Sequence, residues 1–323
     1  MDALVTGAAF GAALTASGVY QPSVIVSQLT FENWHMIQAF LTATAASAVL
    51  VTALQNTGYL QAKPRGYSSV GLFSAYDGNI IGGLTLGAGM ALAGSCPGTV
   101  FPQIALGIRS GYYAVGGALA GGIAWVTFLR PMIAKRPKPQ SQLKTGVYEA
   151  LGISHAATLA IFETAFASVV AGTVLYTSTG PEARISPVVG GLLIGAAQLL
   201  SLLLRKTLIG VSTCFEVVGD WVTWGFSSKG ARPGVSSLVF SAGMVAGSWA
   251  LGHWYPELIS PVSLIVPPAQ AFAGGVLMAV GARAAGGCTS GHGISGISLL
   301  SVSSLITIGA AFGFGAVISK FLY

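Results

Sequence analysis

Apolar blocks follow one another along this chain with hardly a charge inside them, at about 3–20, 34–57, 79–93, 100–130, 147–177, 187–204, 207–226, 234–252, 264–285 and 294–322. Many approach the roughly 20 residues that an α-helix needs to cross the hydrocarbon core of a bilayer. Only 7% of the residues are charged, against roughly 25% in a soluble domain, and the mean hydropathy is +0.74. Backbone in lipid must satisfy its own hydrogen bonds, and blocks of this length do so as helices. The expected fold is therefore all-α, a polytopic integral membrane protein. Several blocks are too short to span alone, and the two beside the cysteine motifs described below read as half-helices or re-entrant segments. The 45 glycines suit close helix approach and broken helices. No polar stretch is long enough for a soluble catalytic domain.

The formal charge of +6 reads as orientation rather than nucleic-acid binding. Arg130, Lys135, Arg136, Lys138 and Lys144 lie in and around a proline-containing loop, 131–146, which the positive-inside rule places in the cytosol. Asp2 stands where a signal peptide carries its basic residues, so the first helix is expected to be retained. The expected location is a cell membrane, plasma or bacterial inner.

Two cysteine motifs look like copies of each other. Gly94-Ser95-Cys96-Pro97-Gly98-Thr99 and Gly286-Gly287-Cys288-Thr289-Ser290-Gly291-His292-Gly293 each follow a glycine-rich apolar run. An offset of 192 pairs Gly82 with Gly274, Gly83 with Gly275, Gly89 with Gly281, Ala93 with Ala285, Gly94 with Gly286 and Cys96 with Cys288. A second stretch, at an offset of 184, pairs Gly11-Ala12-Ala13 with Gly195-Ala196-Ala197 and Phe31-Glu32 with Phe215-Glu216. The fold class expected is thus two pseudo-symmetric homologous halves with broken or re-entrant helices and central cysteine loops. Residues 1–130 form the first repeat, 131–146 the basic loop, and 147–323 the second repeat with an additional helical segment at its start. Such duplication is a transporter signature, with the site at the repeat interface.

The helix breakers around Cys96 expose backbone N–H groups, and a thiol there serves as a weak donor to an anion or as a nucleophile. Ser95, Thr99, Thr289, Ser290 and Ser295 add hydroxyl donors, which is equipment for an oxyanion. Cys288 and His292 would share a face of a helix, although Gly291 and Gly293 favour a loop. Arg283 is expensive inside its apolar run unless it faces a cavity or an acidic partner, so it either attracts an anion or pairs with a neighbouring helix. Glu216, with its repeat Glu32, suits pairing or capping. Glu163 suits a buried hydrogen bond or a proton relay. His35, His155 and His253 fall near block edges, at the interface. The three cysteines, Cys96, Cys214 and Cys288, make no disulfide framework, and no spacing marks a metal site. No GxxxxGK[ST], GxSxG or HExxH motif occurs, so neither an ATP-driven pump nor an enzyme is expected, and no cofactor.

The two motifs resemble the signature loops of the YeeE/YedE sulfur-transport family, and the resemblance covers most of the chain. It implies a helical membrane protein whose halves bring loops to a constricted centre, import of a sulfur compound with thiosulfate favoured, and thiols that pass the anion along. By motif, Cys96 and Cys288 correspond to the central thiols. Cys214, in Cys-Phe, resembles the remaining cysteine motif, which belongs to the first half in thiosulfate importers; here that position is Thr30, which leaves a persulfide or sulfite open as substrate. The substrate path expected is Cys96, Cys288, Cys214, His292, Thr289, Ser290, Arg283, Ser95 and Thr99. The partners are a sulfur-containing anion and the lipid bilayer, without nucleic acid, and a cytosolic sulfur carrier is left open. Two other classes stand beside this one: a membrane thiol or redox relay handling sulfane sulfur, and a soft-metal permease using Cys96, Cys288 and His292.

Overall fold

A computed structural model describes residues 1–137, 143–177, 184–227 and 231–323; Lys138 of the basic loop lies outside them. The first half contributes α1 (Asp2–Ala16), α2 (Pro22–Leu29), α3 (His35–Asn56), α4 (Asp77–Ala93), α5 (Val100–Ala105), α6 (Arg109–Ala124) and α7 (Arg130–Ala134), with a π-helical turn at Trp125–Leu129 joining the last two. Two further helices follow, α8 (Val147–Leu151) and α9 (His155–Tyr176). The second half holds α10 (Pro187–Arg205), α11 (Thr213–Ser227), α12 (Ser236–Trp254), α13 (Pro268–Ala285), a π-helical segment at Thr289–Gly296, and α14 (Val302–Leu322). Among the described residues there is no strand.

Five helical segments are long and apolar enough to cross a membrane: α3, Arg109–Ala134, α9, α10 and α14. The pair α13 and Thr289–Gly296 is bent by 44° and makes a sixth if counted as one span. The chain is a multi-pass membrane protein.

The centre is built on glycine. Helices α4 and α13 run antiparallel, with Gly82 against Gly281 and Gly89 against Gly274. A Cβ on Gly89 would lie 2.5 Å from the Met278 nitrogen, and one on Gly274 2.6 Å from the Ala93 nitrogen. Backbones this close gain dispersion contacts that side chains would prevent. Packing crosses between the two halves of the chain: α6 lies on α13 and α14 on α4, while α1 lies on α12 and α10 on α3. Phe10, Leu86, Met90, Met244 and Met278 fill this core and are fully buried. Helix α9 packs on α3 and α8. Most of its surface is exposed.

The ends of α4 and α13 obey one rule. Gly94 and Gly286 have φ of 55° and 83°, the left-handed conformation that glycine adopts at low cost. Beyond each, the chain continues as a short helical element, α5 in one case and the π-helical segment, bent by 44° from α13, in the other. The second cysteine motif is therefore wound as a π-helix, not the irregular loop that Gly291 and Gly293 favour. Its glycines serve close approach instead: a side chain at Gly293 would collide with the Phe40 ring, and one at Gly296 with the Ser304 hydroxyl.

Candidate functional site

The two cysteine segments meet at a cavity of about 40 Å³ lined by Cys96, Gly98 and Thr99 from one and by Thr289, Ser290 and Ile294 from the other. Phe10, Leu14, Val19, Met36, Phe40 and Ile194 complete an apolar wall. The space admits a few water-sized groups. It is a small cavity with polar atoms from both cysteine segments on a hydrophobic wall.

All three thiols are free, and all are buried: Cys96 is 6% exposed, Cys214 2% and Cys288 0%. Around Cys96, Thr99 does most of the positioning. Its backbone N–H and its hydroxyl both point at the Cys96 sulfur, at 3.4 and 3.3 Å, and its Oγ1 accepts the Cys96 N–H at 2.8 Å. Ser95 Oγ lies 3.4 Å from Thr99 Oγ1.

Cys288 sits in a denser set of donors. Its sulfur is 3.2 Å from Ser290 Oγ, and the backbone N–H groups of Gly291, Val211 and Ser212 are directed at it. Val211 and Ser212 precede α11, where Cys214 takes the second position, so Cys214 is brought beside Cys288. That segment is held in turn by Ser295, whose hydroxyl donates to Ile209 O at 2.5 Å, and by Gln198, whose Oε1 accepts the Ile209 N–H at 3.1 Å.

His292 does not turn to Cys288. Its Nε2 is 3.1 Å from Ala285 O and its Nδ1 is 2.9 Å from Ser304 Oγ. A carbonyl only accepts, so Nε2 carries the proton and Nδ1 takes the serine hydroxyl. With both nitrogens engaged, His292 pins the end of α13 to α14. Among the described residues, no group of three or more His, Cys, Asp or Glu is placed to hold a metal.

Arg283 is likewise committed. It pairs with Glu216, which also accepts from Arg130 Nη1 at 3.0 Å, while Arg130 Nη2 reaches Asp220 at 2.7 Å. Of the two roles open to Arg283, the acidic partner is the one present. Glu32, the repeat of Glu216, is exposed. His35 is buried, with Nε2 2.6 Å from Ser17 O, rather than interfacial. Glu163 has a buried Oε1 without a hydrogen-bond partner, so the expected structural hydrogen bond is not formed.

Sequence reasoning missed Arg65. It stands in the connector between α3 and α4 and donates from Nη1 to Gly286 O at 2.9 Å. A Cβ at Gly287 would come within 2.5 Å of Arg65 Nη1 and 3.0 Å of the His292 ring, so Gly287 leaves the space that both side chains fill. The last carbonyls of α13 are all taken from outside the helix. Ser68 Oγ donates to Ala284 O at 2.7 Å, and Asn79 Nδ2 to Ala285 O at 3.1 Å beside His292. Burial pulls the Arg65 pKa below the ordinary arginine value, with Cys288 opposing that shift. Nothing local in Lys63-Pro64-Arg65-Gly66 distinguishes this residue from a solvated linker; only the fold of the connector brings it here.

The profile of a family described as Sulphur transport matches residues 16–318. The thiosulfate transporter TsuA of Spirochaeta thermophila is 24% identical, the alignment covering 93% of this chain and 92% of that protein. A probable transporter of Xylella fastidiosa is 31% identical over 120 residues, covering 37% of this chain and 81% of that shorter protein. With nearly its whole length matched, and with paired cysteine segments meeting at its centre, this chain belongs to the sulphur-transport family.

Proposed function

We propose that the protein takes up thiosulfate, or a closely related sulfur-containing oxyanion, along a central path past Cys96 and Cys288. One observation carries this reading: the constriction presents Cys96 and Thr99 from one repeat opposite Thr289 and Ser290 from the other. The relative named as a thiosulfate transporter, aligned over 93% of the chain, supports the choice of anion. Thiols and hydroxyls are weak donors, and weak successive sites let an ion enter and leave where a tight one would hold it. The apolar ring of Phe10, Met36 and Phe40 would keep bulk water out between passages.

The path has two ends of different character. Arg65, Arg130, Arg136 and Arg283 gather at one of them: Arg136 donates to Val70 O in the Arg65 connector, and Arg130 shares Glu216 with Arg283. By the positive-inside rule that end faces the cytosol, so the anion meets Cys96 first and Cys288 second. Pseudo-symmetry of the two halves is part of the same proposal, supported by the reciprocal packing of α6 on α13 and α14 on α4. Cys214 provides a further station next to Cys288.

Uptake of labelled thiosulfate into proteoliposomes tests the reading. Wild-type protein takes it up, and Cys96→Ala and Cys288→Ala lose uptake while keeping the wild-type thermal midpoint. Unchanged uptake in both variants would sink the thiol path. A stable sulfur adduct on Cys96 or Cys288, seen by mass spectrometry, would shift the assignment to a redox relay.

A further inference from the structure

We propose that Arg65 forms an oxyanion-binding station at the cytosolic mouth, receiving the sulfonate-like oxygens of the substrate as the sulfane end leaves Cys288. This deepens the transport reading above and rests on it. Three observations carry it.

The first is a missing counter-ion. Arg130 and Arg283 are neutralised by Glu216 and Asp220, whereas no carboxylate among the described residues pairs with Arg65. Its one hydrogen bond to protein there is Nη1 to Gly286 O. A guanidinium has five N–H donors in a planar fork, a shape that matches two oxygens of an oxyanion. A half-buried guanidinium without an opposite charge nearby favours an anionic ligand, which would supply the missing counter-charge.

The second is the company it keeps. Side chains added at Gly210 and Gly291 would lie 3.9 Å and 3.5 Å from Arg65 Nη2. Gly210 precedes Val211 and Ser212, and Gly291, Val211 and Ser212 are the residues whose N–H groups point at Cys288. The guanidinium and the donors of the thiol therefore share one neighbourhood. Gly210 also lines a cleft of about 330 Å³ with Arg205, Thr213, Ser236 and Ser237, which brings that cleft within one backbone segment of Arg65.

The third is that capping alone does not call for a cation. At the matching place in the first repeat, Gly94 O is satisfied by the neutral amide of Gln103 at 2.9 Å. The connector also holds Arg65 in place through its backbone: Ser301 and Ser303 hydroxyls donate to Arg65 O at 3.0 and 3.1 Å. A side chain fixed this firmly, with most of its donors unused, is arranged for a ligand.

The test is thiosulfate uptake in proteoliposomes of full-length protein, with KM and Vmax resolved. Losing a charge-assisted contact in Arg65→Gln should raise KM about 10- to 100-fold. Arg65→Lys keeps the charge and loses the fork, so its KM should rise roughly 3- to 10-fold. A residue that only caps Gly286 would lower Vmax or the thermal midpoint and leave KM alone. Wild-type KM in both variants overturns the proposal, as does wild-type KM in Arg65→Lys alone if the Gln variant does not fold. If wild-type vesicles take up no thiosulfate, the transport reading fails by itself. The station is then read from thermal midpoints with thiosulfate, sulfite or sulfate added: an anion-dependent rise in wild type that is lost in Arg65→Lys supports it, and equal rises or none in either protein overturn it.

Discussion

Gly94 and Gly286 hold the same place in the two cysteine segments, each with a positive φ and each offering a carbonyl to a side chain from elsewhere in the chain. At Gly94 the donor is the Gln103 amide, which also holds Tyr20 O at 2.9 Å. At Gly286 it is the Arg65 guanidinium. The thiols differ in the same direction: Cys96 is held by Thr99, its neighbour in sequence, and Cys288 by Ser290 together with N–H groups from Val211 and Ser212. The two glycines thus share one backbone device, with different side chains around it. The surroundings of Gly94 are neutral and locally built; those of Gly286 are cationic and assembled from distant segments. On the path proposed above, an anion would move from weaker to stronger positive surroundings, which favours passage towards the cationic end.

That contrast can be broken most severely at the second thiol. Cys288→Ala should cut thiosulfate uptake about 100-fold and Cys96→Ala about tenfold, the more densely contacted site losing more transition-state stabilisation; initial uptake rates read this, and equal losses would deny the asymmetry. Next is Glu216→Gln, which strands Arg283 and Arg130. Removing one partner of a partly exposed ion network costs about 1 kcal/mol, visible in chemical or thermal unfolding in detergent. Its effect on KM sharpens the comparison: a second freed cation near the same mouth should lower KM, whereas an unchanged KM would show that Arg283 lies off the path.

Gln103→Leu addresses the neutral mouth. It leaves Gly94 O and Tyr20 O without their donor, at about 2 kcal/mol, and should lower the thermal midpoint while leaving KM close to wild type. A KM rise as large as that of Arg65→Gln would mean that the two caps do the same job. The smallest effect belongs to Thr99→Val, which keeps the shape and removes the hydroxyl contact to Cys96. About 1 kcal/mol of lost hydrogen bonding predicts a several-fold slower uptake without a change in folding.

Much of this was legible in the residues. The apolar blocks at 34–57 and 187–204 are α3 and α10 almost to the residue, because a span in lipid needs length and apolarity and little else. The cysteine repeat located both central segments, because glycine at the end of a helix has a local conformational cause. What escaped was set by contacts distant in sequence. His292 looked like a partner for Cys288 four residues away, and instead bonds Ala285 O and Ser304. Arg283 left two roles open, an anion or an acidic neighbour, and only the fold decided for Glu216 from α11. Arg65 looked like linker, and its backbone oxygen is bonded by hydroxyls more than two hundred residues away.

The sequence alone determined that this chain is helical and membrane-embedded, and that Cys96 and Cys288 stand in similar glycine-bounded motifs. Each of those properties follows from composition, length or short-range breaker chemistry, which the chain carries wherever it folds. Only the tertiary structure decided which charges are neutralised and which stand open, because a buried ion's worth depends on the partner brought to within a few ångströms of it. Glu216 reaches Arg283 and Arg130, and no carboxylate among the described residues reaches Arg65.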